Sequence, residues 1–316
     1  MRNYPEPSIT IDVNVTNPGQ FFACGGLLEL AERLWPGVEG WFNTENTCFN
    51  LCVSMDVPCT LSNLADRLIK AGIEGELSME EQTDLDNLES QKRALAKEGK
   101  RLSKNTEQRR SSLDKRRREG ALAFGEPFNL RVAWWQEQSD DVPKTFAGRQ
   151  EVLQMALAML AKLSKAIQEN RPLDYRCLLQ TVNEDASETT EEKRKSMRRA
   201  KSKVEPFYFD ARRFTHALDL GFSLDVQEKM IRATATPMTE LLALVGLQRF
   251  RPQMKAVGKR RFEYFTWNQP LNVEIASAVA CGVVQMPWQQ CYRFRLLSRD
   301  DKDRYKAFGF AIPIGE

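Results

Sequence analysis

Near the start of the chain Ile9, Ile11, Val13 and Val15 alternate with Thr10, Asp12 and Asn14, the period-two pattern of a half-buried strand. Asn17-Pro18-Gly19 then predicts a turn, because proline fixes φ and glycine tolerates positive φ. From Gln20 to Trp35 the apolar positions Ala23, Leu27, Leu30, Ala31 and Leu34 return at helical spacing, and Pro36-Gly37 ends that helix. Cys48 to Met55 alternates again as a strand, and Leu61 to Ala71 repeats apolar residues at helical intervals. The opening unit therefore reads β-α-β-α.

The pattern changes from Met79 to Glu119, where apolar residues thin to a few leucines. Leu88, Leu95 and Leu102 are seven apart, which permits a short coiled-coil seam or a helix resting on a partner. Strand alternation returns at Phe128, Leu130, Val132 and Trp134, and Arg149 to Gln168 reads as a long apolar helix. Thr236-Pro237 opens another helix, with a cap candidate and proline at its first turn, and Gly246 is placed to close it. The last third is strand-rich, with Phe262 to Trp267, Tyr292 to Leu296, and a return from Tyr305 to Ile312.

The predicted class is α+β: a β-α-β-α start, helical and charged middle insertions, and a strand-rich C-terminal third. The strand-helix-strand start also allows ferredoxin-like elements. Three parts are expected: an N-terminal α+β unit over 1–75, a charged helical insertion over 76–122, and an α+β main domain over 123–316 that carries a charged loop at 183–203.

At 316 residues, 42% hydrophobic and 28% charged, the chain is expected to be globular with ample core. No stretch approaches the ~18–20 apolar residues of a membrane helix, and the first residues lack the apolar segment of a signal peptide. A cytoplasmic protein away from membranes is expected. The seven cysteines are scattered without a Cys-x-x-Cys, which predicts reduced, mostly structural thiols; between Cys48, Cys52 and Cys59 the residues Phe49, Leu51, Val53 and Met55 alternate as strand residues do. His216 is the single histidine, so multi-imidazole metal sites are excluded and any Cys–His or Ser–His catalysis would have to pass through it. Neither common nucleotide-binding glycine loop occurs. No enzymatic activity, cofactor or metal is expected, although carboxylate-only magnesium catalysis is not ruled out by residue counting.

The net charge of +3 hides a segregated distribution. Lys92 to Arg118 holds 12 Lys/Arg against three acidic residues, and Lys193 to Lys203 holds seven more cations. Clustered cations that neutralise phosphates release counterions, so both runs are candidate nucleic-acid contacts. A third group, Arg249 to Trp267, mixes arginines with aromatic rings, a combination suited to phosphates and stacked bases. The candidate contacts are Arg93, Lys97, Lys100, Arg101, Arg109 and Arg116 in the first run, Lys195 and Arg198 in the second, and Arg249, Arg251, Arg260 and Trp267 in the third. The competing readings are a solvated charged helix for the runs and one strand's core face for the aromatics. A scaffold that docks the basic helix on an acidic partner is the alternative function.

Several stretches resemble a known family. Thr16-Asn17-Pro18-Gly19-Gln20-Phe21-Phe22-Ala23-Cys24-Gly25-Gly26-Leu27-Leu28-Glu29-Leu30-Ala31, Gly40-Trp41-Phe42, Phe207-Tyr208-Phe209-Asp210-Ala211-Arg212-Arg213, Leu220-Gly221-Phe222-Ser223, Thr239 to Pro252 and Tyr264 to Leu271 occur in order along nearly the whole chain. Together they are similar to the small version of the Cascade large subunit of type I-U (I-G) CRISPR systems, the Dpsyc subtype. The resemblance implies a non-catalytic subunit of a CRISPR RNA-guided surveillance complex. Its partners would be guide RNA, target double-stranded DNA, the other Cascade subunits and a helicase-nuclease recruited for cutting. It further implies help in recognising the protospacer-adjacent motif, while guide pairing reads the sequence. None of these stretches is a chemical motif, so the candidate residues rest on charge and aromatic pattern. The chain is short for a large subunit, consistent with a helical C-terminal part that is missing or supplied as a separate small subunit.

Overall fold

The structure, a computed structural model, describes residues 4–54, 59–137, 142–147, 150–177, 179–180, 206–216, 234–254, 260–299 and 304–315. The chain begins with β1 (Ile9–Asp12), α1 (Pro18–Leu34), β2 (Glu39–Phe42), β3 (Cys48–Cys52) and α2 (Leu61–Ala71). Asn17 caps α1 by accepting the Gly19 N–H, with Pro18 following it, and Thr60 caps α2 by accepting from Asn63. β3 lies between β1 and β2 and is antiparallel to both, so α1 crosses between two parallel strands that are split by a third. This βαββα order is the first part of a ferredoxin-like arrangement. The next strand, β4 (Ile73–Gly75), pairs instead with β5 (Leu122–Phe124), which pairs with β6 (Leu130–Val132). β2 escapes the hydropathy pattern because Gly40, Trp41 and Phe42 are all buried, leaving no alternation to read.

Between β4 and β5 the chain makes two helices, α3 (Met79–Lys97) and α4 (Lys104–Glu119). After β6 come α5 (Val152–Gln168), the short pair β7 (Leu179–Gln180) and β8 (Thr234–Ala235), and α6 (Pro237–Arg249). The last sheet contains β9 (Gln253–Met254), β10 (Arg261–Phe265), β11 (Cys291–Ser298) and β12 (Lys306–Phe308) in the order β12-β11-β10-β9. β13 (Ile312–Ile314) also pairs with β11, and α7 (Val273–Ala280) connects β10 to β11. The class is α+β, as the pattern predicts.

The centre of the described structure is the crossing of α1 and α6, the most extensive helix–helix contact among the described residues. Both are buried nearly all round, Pro18 to Ala31 in one and Pro237 to Leu247 in the other, as central helices must be. Gly246 does not end α6. It lies within the helix, where a Cβ would stand 2.0 Å from the Phe22 carbonyl oxygen, while a Cβ on Gly26 would stand 1.9 Å from that of Leu242. The two glycines let the backbones touch. Aromatic rings fill the space toward the sheets: Phe21 stacks on Tyr264 at 4.2 Å, and Phe42 meets Trp267 edge-on at 5.0 Å. One continuous core runs from Ile9 to Ala311, drawing on β1, α1 and the last sheet alike.

A buried polar knot pins the ends of these helices. Asn17 Nδ2 donates to Asp210 Oδ1 (2.7 Å), and Thr236 Oγ1 donates to Asp210 Oδ2 (2.8 Å). Arg212 Nη2 pairs with the same carboxylate at 2.6 Å. The buried Glu240 accepts the backbone N–H groups of Phe209 and Asp210. Tyr264 donates to the Val15 carbonyl (2.6 Å) and the Trp267 indole to that of Gly40 (2.7 Å). Apart from Leu220-Gly221-Phe222-Ser223, which lies outside the described residues, the segments that carry the family resemblance meet in this core.

Candidate nucleic-acid interface

The charged insertion folds as an antiparallel helical hairpin. Ser78 and Glu81 form a reciprocal capping box at the start of α3, and Ser103 caps α4 by accepting the Thr106 N–H. Gly99, at φ +71°, turns the chain between them. Its apolar seam is narrow, with Leu85 and Leu113 as the buried residues. The seven-residue series Leu88, Leu95 and Leu102 is only half-buried. A heptad count presumes one unbroken helix, and Leu102 sits in the turn.

Ion pairs between the helices, and to Glu76 just before α3, supplement this thin seam. Lys92 meets Glu107 (2.8 Å), Arg109 meets Asp84 (2.8 Å), Arg117 meets Glu89 (3.3 Å), and Arg116 meets both Glu81 (2.6 Å) and Glu76 (3.3 Å). Hydrogen bonds from Arg110 and Lys92 hold the Glu107 carboxyl down at about 2. Antiparallel packing sets the acidic first half of α3, with Glu80, Glu81, Asp84, Asp86 and Glu89, against the basic end of α4. The positive excess of Lys92 to Arg118 is therefore largely neutralised near the base of the hairpin. Arg109 and Arg116, two of the expected contacts, are struts of the hairpin itself.

Positive charge survives at the tip. Lys97, Arg101 and Lys104 are exposed and have no ion-pair partner among the described residues. Lys100 reaches Glu98 in the same turn at 3.0 Å, and Arg93 reaches Glu89 at 3.7 Å, both on the surface. At 1.5 Å per residue the 19-residue α3 is about 28 Å long, so these cations stand well away from the base. The base is anchored by Trp135, whose indole donates to the Glu119 carbonyl, and by Arg117 facing Glu151 of the segment entering α5.

The third basic group divides differently from its expected reading. Trp267 is 2% exposed, with its indole committed to Gly40, so it cannot stack on a base; it is a core residue. Arg249 bonds the buried Glu29 through Nε (2.6 Å), and Arg251 pairs with Glu137. Both guanidinium groups are thus already matched to carboxylates. Arg260 turns the chain into β10 at φ +67°, and its carbonyl accepts the Leu296 N–H. Lys195, Arg198 and the loop at 183–203 lie outside the described residues.

The expected contacts omit Lys104 at the tip and Arg295, and Arg261 belongs to the third basic group without being singled out; Arg261 and Arg295 are exposed and face each other across β10 and β11. The signal was present in Arg-Phe-Glu-Tyr-Phe and Tyr-Arg-Phe-Arg: with Phe262, Tyr264, Tyr292 and Phe294 inward, period two puts Arg261 and Arg295 on the other face. A cleft of about 460 Å³ beside the start of α1 is lined by Asp12, Gln20, Thr47, Cys48, Tyr175 and Arg212, but Arg212 is already bound to Asp210 and to the Tyr175 carbonyl. Among the described residues no group of three or more His, Cys, Asp or Glu side chains is placed to hold a metal, and no helix is long and apolar enough to cross a membrane. Comparison with protein-family models, curated proteins and solved structures returned no match for this chain.

Proposed function

We propose that this chain is a non-catalytic subunit of a type I CRISPR RNA-guided surveillance complex and that its helical hairpin grips nucleic-acid backbone through the tip. The observation that carries the gripping role is the concentration of exposed cations at Lys97, Lys100, Arg101 and Lys104, three of them without a partner among the described residues. A cation held in an internal ion pair must break that pair to reach a phosphate, whereas these need not. Assignment to the complex rests on the resemblance of the core segments. In this role the tip supplies sequence-independent affinity, guide RNA pairing reads the target, and the recognition of a short DNA motif is shared with neighbouring subunits. A separate helicase-nuclease cuts.

The test replaces Lys97, Lys100, Arg101 and Lys104 together by Glu and measures DNA binding by the complex reconstituted with guide RNA across a salt series. Each lost phosphate contact should remove about 0.9 from the slope of log K against log salt on duplex DNA, so a fall of up to about 3.6 is expected for the four cations. Unchanged affinity at low salt refutes the tip as the grip. A complex that assembles and binds its target normally without this chain refutes the assignment. Loss of a protein subunit from the complex with intact nucleic-acid affinity would instead establish the hairpin as a docking arm for an acidic partner.

A further inference from the structure

On the last sheet, alternation sends Phe262, Tyr264, Tyr292, Phe294 and Leu296 into the core. Arg261, Glu263, Arg293 and Arg295 therefore fall on the opposite face of the β10–β11 pair, where Glu263 is buried, Arg293 is half-buried and the Arg261–Arg295 end is open. Glu263 stands across from Arg293, whose Nε donates to it at 2.8 Å, and this pair is internally matched. Two residues along, Arg261 stands directly across from Arg295. Both are exposed, and neither side chain has a hydrogen-bond or ion-pair partner among the described residues. Like charges directly opposite each other weaken an antiparallel pair. An anion shared between the two guanidinium groups removes that cost, and a phosphodiester fits their planar donor forks.

The neighbouring edge supplies apolar surface. Between β12 and β13 the three residues Gly309 to Ala311 stand opposite two, Phe294 and Arg295, and the Gly309 N–H donates to the Arg295 carbonyl at 3.0 Å. Phe310 in this bulge is 52% exposed, and Ile312, across from Arg293, is 61% exposed. Phosphate donors beside an open ring and an aliphatic side chain suit a strand whose bases are unstacked; in a duplex those base faces are hidden.

We propose that the open end of this β10–β11 face, around Arg261, Arg295 and Phe310, is a binding site for single-stranded nucleic acid, separate from the hairpin tip. The arginines clamp the backbone, and Phe310 offers a platform to a base. The site depends on this sheet alone and stands whether or not the chain works in a CRISPR complex.

The experiment uses the full chain and a fluorescent thymidine oligomer of about 15 nucleotides, a length that spans one single-strand site. R261Q/R295Q should bind the oligomer at least ~10-fold more weakly, and its salt slope should fall by about 1.4, two contacts at the single-strand value. F310A should weaken binding with little change in slope, since stacking releases no counterions. Without ligand, R261Q/R295Q should melt at or above the wild-type temperature, because the opposed charges are gone. The hairpin-tip variant should keep the part of oligomer binding that depends on Arg261 and Arg295, which separates this site from the grip proposed above. Wild-type affinity and slope in R261Q/R295Q overturn the proposal, as does a lowered melting temperature, which would make the arginines structural. Inorganic pyrophosphate displacing the oligomer while F310A has no effect also overturns it, leaving only a general anion site.

Discussion

At the scale of single residues, Asp210 and Glu240 show how burial decides chemistry. Burial would raise the Asp210 carboxyl, but the hydrogen bonds and charge of Arg212, with Asn17 and Thr236, hold it below its ordinary value. Burial pushes Glu240 up to about 8, helped by the negative charge of Asp210 and opposed by backbone N–H donors. Folded protein therefore keeps a proton on Glu240 that the unfolded chain, with its ordinary value of 4.5, has already released. The stability this proton contributes is complete below the unfolded value and is lost as pH rises through about 8. Asp210 acts with the opposite sign, its contribution being present above its unfolded value and lost on acidification. Glu240→Gln should thus flatten the fall in melting temperature between about pH 4.5 and about pH 8. Parallel profiles for wild type and variant would show that Glu240 is not the group that titrates.

At the scale of elements, the α1–α6 crossing and the hairpin are held in opposite ways. The crossing depends on backbone contact at Gly26 and Gly246, where no side chain has room. Gly26→Ala must displace the Leu242 carbonyl and should cost about 3 kcal/mol, the upper part of the usual overpacking range, read from the denaturant midpoint. A cost below about 1 kcal/mol would mean that the helices can part there without loss. The hairpin instead combines a thin seam with surface ion pairs, each worth little alone. Leu113→Ala should therefore loosen the hairpin by roughly 2 kcal/mol or more, speeding tryptic cleavage between Lys92 and Arg118 while the main melting transition stays in place. Coupled loss of the main transition would show that the arm and the body fold as one unit.

At the scale of the whole molecule, the hairpin's buried leucines stand apart from the continuous core that joins β1 to the last sheet. An arm with its own seam can carry charge far from the body without disturbing it. This also explains why the resemblance-bearing segments say little about contacts: Phe21, Asp210, Glu240 and Trp267 are interior residues whose roles are packing and hydrogen bonding. Fold class, most helix starts and the strands of the last third were legible in the order of residues, because period and capping chemistry are local. The strand at β2 and the role of Gly246 were not, since a fully buried segment carries no alternation and a mid-helix glycine resembles a stop. Of the expected contacts, Lys97, Lys100 and Arg101 stand at the tip, while Trp267 went to the core and Arg109, Arg116, Arg249 and Arg251 went to carboxylates.

The sequence by itself determined the main helices and the long strands of the last third, that the chain is α+β, and that cations cluster in a few runs. Only the tertiary structure decided which of those cations are neutralised and which face outward. Charge along a chain adds up locally, whereas an ion pair depends on distance in space. The turn at Gly99 brings Asp84 to Arg109, and the register of β10 on β11 leaves Arg261 facing Arg295.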